Sequence, residues 1–427
     1  MASRNSVDPL RILLILPEFP PHFGGMQTHA IYLSNYLASH GHTIEVMTYQ
    51  STDIDICRQG EDYDVQCCFP VYRVLSRIAF WDNIRKIVIR ARIFSPDIIY
   101  ASNVYYGVVC DFWEVPIICR SVGNDLLRPW IAYPFRFGSA FLSHPRLESL
   151  LYERVKNIDI PDWVDNLFRS KREFLVQASI KKISHIFANS HFTYDVLRKM
   201  GATPDRIRVL PGGVDAFRFD SINSNIHMIR NKLNLPVHGR LVMTACRLVP
   251  KKGLDFLLTA FSVLMSSIKN TYLVIVGDGK ERKKCERIAC SLGISERLIF
   301  TGYVPHSMIH EYYWACDIFA LASRTCYNHN TGSKDVETMG RVLCEANASG
   351  VPVLASNSGG ISSVITHEVN GLLFREDDLE DFLRQMFRLQ EDSTLRQSLI
   401  RNGRKRAKEH FDWSVLLREH ETIFKEI

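Results

Sequence analysis

A chain of 427 residues exceeds what one hydrophobic core normally organises, so two or three domains are expected. With 46% hydrophobic and 23% charged residues, the composition is that of a folded globular protein and excludes extensive disorder. The formal charge of +6 is scattered; it suits an anionic small molecule or a membrane surface and does not demand nucleic acid.

The eleven cysteines include no C-x-x-C pair, and only Cys67 and Cys68 are adjacent, which argues for reduced, buried thiols and against a zinc site. The opening MASRNSVDPLR lacks the apolar core of a signal peptide. No apolar run approaches the roughly 18 residues that a spanning helix needs. A cytoplasmic location, with peripheral contact at the inner face of a membrane, is the expectation.

In chain order, RILLILP (11–17) is nearly continuously apolar, as a strand buried on both faces should be. PPHFGG (20–25) reads as a loop, Met26 to His40 as a helix and TIEVMTY (43–49) as a second strand. PDIIYA (96–101), PIICR (116–120) and HIFANS (185–190) predict further strands. Strands separated by helical stretches imply βαβ units and a parallel sheet. Residues 126–180 are aromatic-rich and irregular, predicting a mixed helical excursion, and VLPGGVDAFRF (209–219) reads as a hinge around Pro-Gly-Gly.

The pattern then restarts. RLVMTACRL (240–248) predicts a strand and Gly253 to Ile268 a helix. YLVIVG (272–277), RLIFTGYV (297–304), DIFALAS (317–323), VPVLAS (351–356) and NGLLF (370–374) complete a second parallel set. The architecture expected is α/β, two doubly wound, Rossmann-like parallel-sheet domains facing a cleft, with ligands at the strand C-terminal ends.

VETMGRVLCE (336–345) carries two glutamates eight positions apart. A loop with Glu337 feeds a helix that opens near Gly340, carries Glu345 and stops at Gly350. A helix N-terminus attracts anions, whereas carboxylates repel them. A sugar with its hydroxyls between the two charges reconciles the pair; an ordinary helix with two solvated glutamates is the alternative. Arg247 and Lys252, five positions apart on a strand-to-helix loop, can grip a diphosphate as a planar fork and a point charge, or can be two solvated cations. PPHFGG and GGISS (359–363) are further Gly turns read as opening helices after strands. The first of them is not G-x-G-x-x-G, so the dinucleotide fingerprint is absent.

On the segments GGMQTHAIYLSNYLASHGHTIEVMT, FANSHFTYDVLRKMG, VLPGGVDAFRF, CRLVPKKGLDFLL, LVIVGDGKER, FTGYVP, ETMGRVLCEANASGVPVLASNSGGISSVI and NGLLF, the chain resembles the retaining GT-B glycosyltransferases of family 4, the group 1 glycosyl transferases. The resemblance runs, with gaps, from residue 24 to residue 374. It implies a hexosyltransferase, with an acceptor-binding domain over 1–214, a nucleotide-sugar donor-binding domain over 215–408 and a final helix (409–427) that crosses back. It further implies that Glu337 contacts the transferred sugar and Glu345 the ribose hydroxyls, while Arg247 and Lys252 hold the diphosphate. The backbone near Gly25 assists, and that around Met339, Gly340 and Arg341 touches sugar or phosphate. No metal or other cofactor is expected, because cations and helix ends supply the positive charge.

The chain departs from the family pattern in places. Thr338-Met339 replaces the usual Gly-Phe, and a long polar loop, TCYNHNTGSKDV (325–336), precedes Glu337. In RSVGND (120–125) Val122 stands where members carry His, leaving Arg120, Asn124 or Asp125 as acceptor-side candidates. The D-x-D matches at Asp53-Ile54-Asp55 and Asp62-Tyr63-Asp64 read as a solvated charged loop, and the histidines show no metal-ligand spacing. Arg77, Arg85, Lys86, Arg90 and Arg92 punctuate an apolar helix-like stretch that could lie on an anionic membrane or cover the first sheet; RNGRKRAKEH (401–410) reads as a solvated helix face. A carbohydrate or lipid-linked hydroxyl acceptor is expected. The rivals are a nucleotide-sugar epimerase or hydrolase of the same fold, and a homologue that binds without turnover.

Overall fold

The apolar runs in the first half pair side by side, because a strand buried on both faces can satisfy its backbone only in the interior of a sheet. In the computed structural model, which describes residues 9–21, 24–129, 131–132, 134–136, 162–220, 225–328 and 333–427, they form seven parallel strands. These are β1 (Arg11–Ile15), β2 (Thr43–Tyr49), β3 (Val71–Leu75), β4 (Ile98–Ala101), β5 (Ile117–Ser121), β6 (His185–Ala188) and β7 (Ile207–Val209), in the order β3-β2-β1-β4-β5-β6-β7. Strand β1 is central to the register: Ile12 pairs with Ile44 on one side and Ile98 on the other. The chain reverses direction of growth between β1 and β4, the switch point at which open α/β sheets bind ligands.

The second sheet contains β8 (Arg240–Ala245), β9 (Thr271–Val276), β10 (Leu298–Gly302) and β11 (Ile318–Leu321), followed by β14 (Val353–Ser356) and β15 (Leu372–Phe374), in the order β10-β9-β8-β11-β14-β15 and all parallel. Here too the order reverses beside the first strand of the set, between β8 and β11. A separate antiparallel hairpin, β12 (Cys326–Asn328) with β13 (Ser333–Asp335), replaces the polar loop expected over 325–336. The contacts divide the chain into one unit of Met1–Leu210 with Leu417–Ile427 and a second of Pro211–Leu416. The first division falls inside the segment that reads as a hinge.

Two expectations need correction. Asp53 and Asp55 do not sit in a loop: Asp53 caps the helix Ile54–Asp64, its carboxylate accepting the Asp55 and Ile56 N–H groups, and Asp64 pairs with Arg73. One aspartate of each D-x-D match is thus taken up, Asp53 by helix capping and Asp64 by an ion pair. GGISS opens only a short 3-10 turn, Ile361–Ser363. Strands β3 and β7 carry no strong apolar run and were not predicted; pairing with already fixed neighbours selects them. About half of residues 126–180, namely 130, 133 and 137–161, lie outside the described residues, and the last part of the segment forms the helix Asp162–Ile180.

Candidate functional site

In the second unit the strand C-terminal edge gathers charge. After β8 the chain makes a 3-10 turn, Pro250–Lys252, before the helix Leu254–Ser267. After β11 comes buried Ser323, whose carbonyl accepts the Ser356 hydroxyl at the end of β14. Glu337 enters this edge from the hairpin. Its carboxylate receives the Lys252 ammonium in a short ion pair and lies 3.5 Å from the Ser323 hydroxyl. Both members of the pair are only 13% exposed. Burial alone would push the Glu337 carboxyl up, but the Lys252 and Lys251 ammoniums and the Ser323 bond hold it below its ordinary value. Burial would likewise lower the Lys252 ammonium, and Glu337 raises it. Both groups are therefore charged across the neutral range.

The Glu337 backbone is also fixed. Its carbonyl accepts the Gly360 N–H at 2.8 Å. Gly359 adopts φ +54°, and a Cβ there would collide with that same carbonyl oxygen, so a glycine is required. Three residues beyond Glu337, Gly340 takes φ +86° as the N-cap of the helix Arg341–Ser349. That helix has no side-chain cap and no acidic residue in its first turn, so its leading amides are available to an anion. The Met339 side chain turns inward instead, its sulfur accepting the Gly212 N–H at 3.0 Å.

Glu345 sits on the same helix with 2% exposure. Tyr313 donates its hydroxyl at 3.0 Å, His306 Nε2 lies at 3.5 Å and Arg341, one turn earlier, at 3.4 Å. Burial opposes its ionisation; the His306 bond, Arg341 and Tyr313 overcome that and leave the carboxyl below its ordinary value. Arg247 is exposed, and among the described residues it makes no ion pair. Its charge is felt at Lys252. Lys252, Glu337, Gly340, Arg341 and Glu345 are thus organised around one strand edge, with Arg247 at its rim. His306, Tyr313, Ser323 and Lys251 are partners that the sequence reading missed. Each lies far from the glutamates in the chain, and only the doubled lysine at 251–252 hinted at one of them.

The first unit offers a different edge. Leu16, Glu18, Met26, His29, Ala30, Ser102, Arg120 and Val122 line a small cavity at the β1/β4 switch point. Arg120 is 4% exposed on β5, Asn124 is exposed, and Asp125 is buried. The Asp125 carboxylate accepts the Ser121 hydroxyl at 2.9 Å and the Val104 and Val122 N–H groups at 3.1 Å each. It therefore braces the turn after β5. Burial pushes its carboxyl up to about 6, against those hydrogen bonds. Gly25 opens the helix Gly25–Ser39 and is exposed; His22 and Phe23 of PPHFGG lie outside the described residues. Among the described residues no cluster of three or more His, Cys, Asp or Glu is placed to hold a metal.

Two family profiles match the chain: Glycosyltransferase Family 4 over residues 23–218 and Glycosyl transferases group 1 over residues 225–406. The chain is 31% identical over 405 residues to a GDP-mannose-dependent alpha-(1-6)-phosphatidylinositol monomannoside mannosyltransferase of Mycolicibacterium smegmatis, covering 94% of this chain and 95% of that one. It is 24% identical to the alpha-monoglucosyldiacylglycerol synthase of Streptococcus pneumoniae, over 86% of this chain and 75% of the relative. Among solved structures, Anabaena Alr3699/HepE in complex with UDP and glucose superposes with a TM-score of 0.70 at 20% identity, covering 98% of this chain and all of the other.

Proposed function

The chain belongs to the group 1, family 4 glycosyltransferases and has the GT-B fold, and from that premise we propose that it transfers a hexosyl unit from a nucleotide diphosphate sugar to a hydroxyl acceptor with retention of configuration. The observation that carries this reading is the buried Lys252–Glu337 pair beside the uncapped helix at Gly340. A buried pair of this kind contributes little to stability relative to an apolar substitute, which favours a chemical role over a structural one. Lys252, Arg247 and the leading amides of Arg341–Ser349 receive the diphosphate and stabilise its charge as it leaves. Glu337 accepts hydrogen bonds from the sugar, and Glu345, held by Tyr313 and His306, accepts from ribose. This cationic set does the work that a divalent metal would do, so turnover is expected to survive EDTA.

The acceptor contacts fall to the first unit, around Arg120 and Asn124, with Asp125 bracing their turn. The relatives named above act, by their names, on a phosphatidylinositol glycoside and a diacylglycerol glycoside, which supports a lipid-linked acceptor met at a membrane surface. The helix Phe80–Phe94 suits that encounter: Ile89 and Ile93 are 43% and 66% exposed beside exposed Arg92. No helix among the described residues is long and apolar enough to cross a membrane. Sedimentation with anionic vesicles should fall in Ile89→Ser/Ile93→Ser/Arg92→Ser; unchanged sedimentation removes this helix from the membrane contact.

The deciding experiment screens UDP-, GDP- and ADP-sugars with a panel of sugar and glycolipid acceptors. Nucleoside diphosphate should appear only when donor and acceptor are both present. Lys252→Ala should cut turnover by roughly 10²–10³-fold. Binding without turnover across the panel would overturn the transferase reading, and full turnover in Lys252→Ala would remove that residue from the chemistry.

A further inference from the structure

The residue before Lys252 is also a lysine, and the structure gives it different work. Lys251 is 11% exposed, and its Nζ lies 3.0 Å from Asp335 Oδ1 and 3.3 Å from the Val336 carbonyl oxygen. Its own backbone carbonyl accepts the Arg324 N–H at 2.7 Å. Arg324 leads into the β12/β13 hairpin, and Asp335 and Val336 lead out of it. One residue therefore closes both ends of the hairpin, directly before Glu337. Two successive ammoniums face two carboxylates that are two positions apart: Lys251 with Asp335, Lys252 with Glu337.

The rest of the hairpin stem is fixed independently. The Thr325 N–H and hydroxyl donate to the Glu376 carboxylate at 2.5 and 3.2 Å, and Arg324 pairs with Asp255. Those contacts hold the first strand only. On the returning strand, Lys251 ties Asp335 and the Val336 carbonyl to the sheet edge. Beyond Val336, the Gly360 N–H takes the Glu337 carbonyl.

We propose that Lys251 is a positioning residue for the glycosyl transfer, a clasp that sets the returning hairpin strand and thereby the Glu337 carboxylate against Lys252. The proposal rests on the reading that Glu337 and Lys252 serve the donor. An ordinary surface ion pair would matter little at such a position. This one fixes backbone two residues from a group whose placement within about 1 Å can be worth as much as 10²-fold in rate. Lys251 also adds positive charge beside Glu337.

The test uses the full chain with Lys251→Met, which keeps the aliphatic stem, Lys251→Arg, and the swapped pair Lys251→Asp/Asp335→Lys. The first readout is amide hydrogen exchange without any ligand. Exchange over residues 333–340 should accelerate several-fold in Lys251→Met, with β8 and β9 unchanged, and return toward wild type in Lys251→Arg and in the swap. Exchange in Lys251→Met indistinguishable from wild type overturns the clasp. The second readout is nucleoside diphosphate release from whichever of UDP-glucose, GDP-mannose or ADP-glucose the wild type consumes. In Lys251→Met, kcat should fall roughly 10-fold, donor KM should stay within about twofold, and the acidic limb of the pH profile should move upward. An unmoved acidic limb with wild-type kcat also overturns it. A wild type that consumes no donor sinks the transferase reading, and the exchange measurement still decides the clasp.

Discussion

Asp125 and Glu337 occupy equivalent places, each just past the C-terminal end of a parallel strand array and each largely withdrawn from water. Their proton affinities diverge. Asp125 meets only neutral donors, the Ser121 hydroxyl and two backbone amides, and burial drives its carboxyl up to about 6. Glu337 meets the Lys252 ammonium, and its carboxyl falls below the ordinary value despite comparable burial. Depth alone does not set the proton affinity of a buried carboxylate; a counter-charge reverses the direction in which burial pushes it. The first edge is built to hold a turn in shape, the second to keep opposite charges in place without collapsing them into water.

The largest effect should come from making Glu337 resemble Asp125. Lys252→Met leaves an uncompensated buried carboxylate and should cost about 3–5 kcal/mol of stability in the second unit. Adding Glu337→Gln should recover most of that stability while turnover stays lost. Urea unfolding and product release measure the two separately, and a double variant as unstable as Lys252→Met would refute the uncompensated-charge explanation.

A second effect, nearly as large, tests the other side. Because the folded-state value of Asp125 is raised to about 6 from its ordinary 3.8, the unfolded chain releases this proton first. Wild type therefore loses stability as pH climbs from about 4 to about 6, and the loss is constant above that. The stability difference between Asp125→Asn and wild type should shift toward the variant by about 2 kcal/mol between pH 4 and pH 7. Hydrogen exchange of β5 amides in urea reads this, and a pH-independent difference would show that Asp125 is not raised.

The smallest effect concerns a third carboxylate, lowered like Glu337. Glu421, on the final helix Trp413–Glu426, accepts the Tyr36 hydroxyl at 2.8 Å, with Lys425 at 2.7 Å and His42 Nε2 at 3.3 Å. Burial would raise it, but Lys425, Tyr36 and His42 bring it down to about 2. A depressed carboxylate contributes stability above its ordinary value, and that contribution is lost as pH falls from about 4.5 toward 2. Glu421→Gln should cost about 1 kcal/mol at pH 7, discounted because Lys425 is open to water, and almost nothing near pH 2. A constant cost across that range would contradict the assignment.

Much of this was legible without coordinates, for reasons specific to each segment. RILLILP and VPVLAS announce strands because burial on both faces forces a continuous apolar run. ETMGRVLCEANASG announces its helix through Gly340 and Gly350, which adopt φ +86° and +71° at its two ends. The strand ends fell short of the predicted runs: DIFALAS becomes Ile318–Leu321, and Ser323 beyond its C-terminal end meets Glu337. GGISS misled because a Gly turn after a strand does not specify how many helical turns follow. The aspartates at 53 and 55 misled because an N-cap and a solvated loop share the same polar composition.

The sequence by itself determined two parallel α/β sheets and the glycine-bounded helix at 341–349. These are local or periodic properties, written in neighbouring residues. Only the tertiary structure decided which lysine of the 251–252 pair meets Glu337 and which meets Asp335, that Tyr313 and His306 hold Glu345, and that Asp125 braces a turn. Those choices depend on the distances and burial created when strands far apart in the chain become neighbours, and ionisation follows from them.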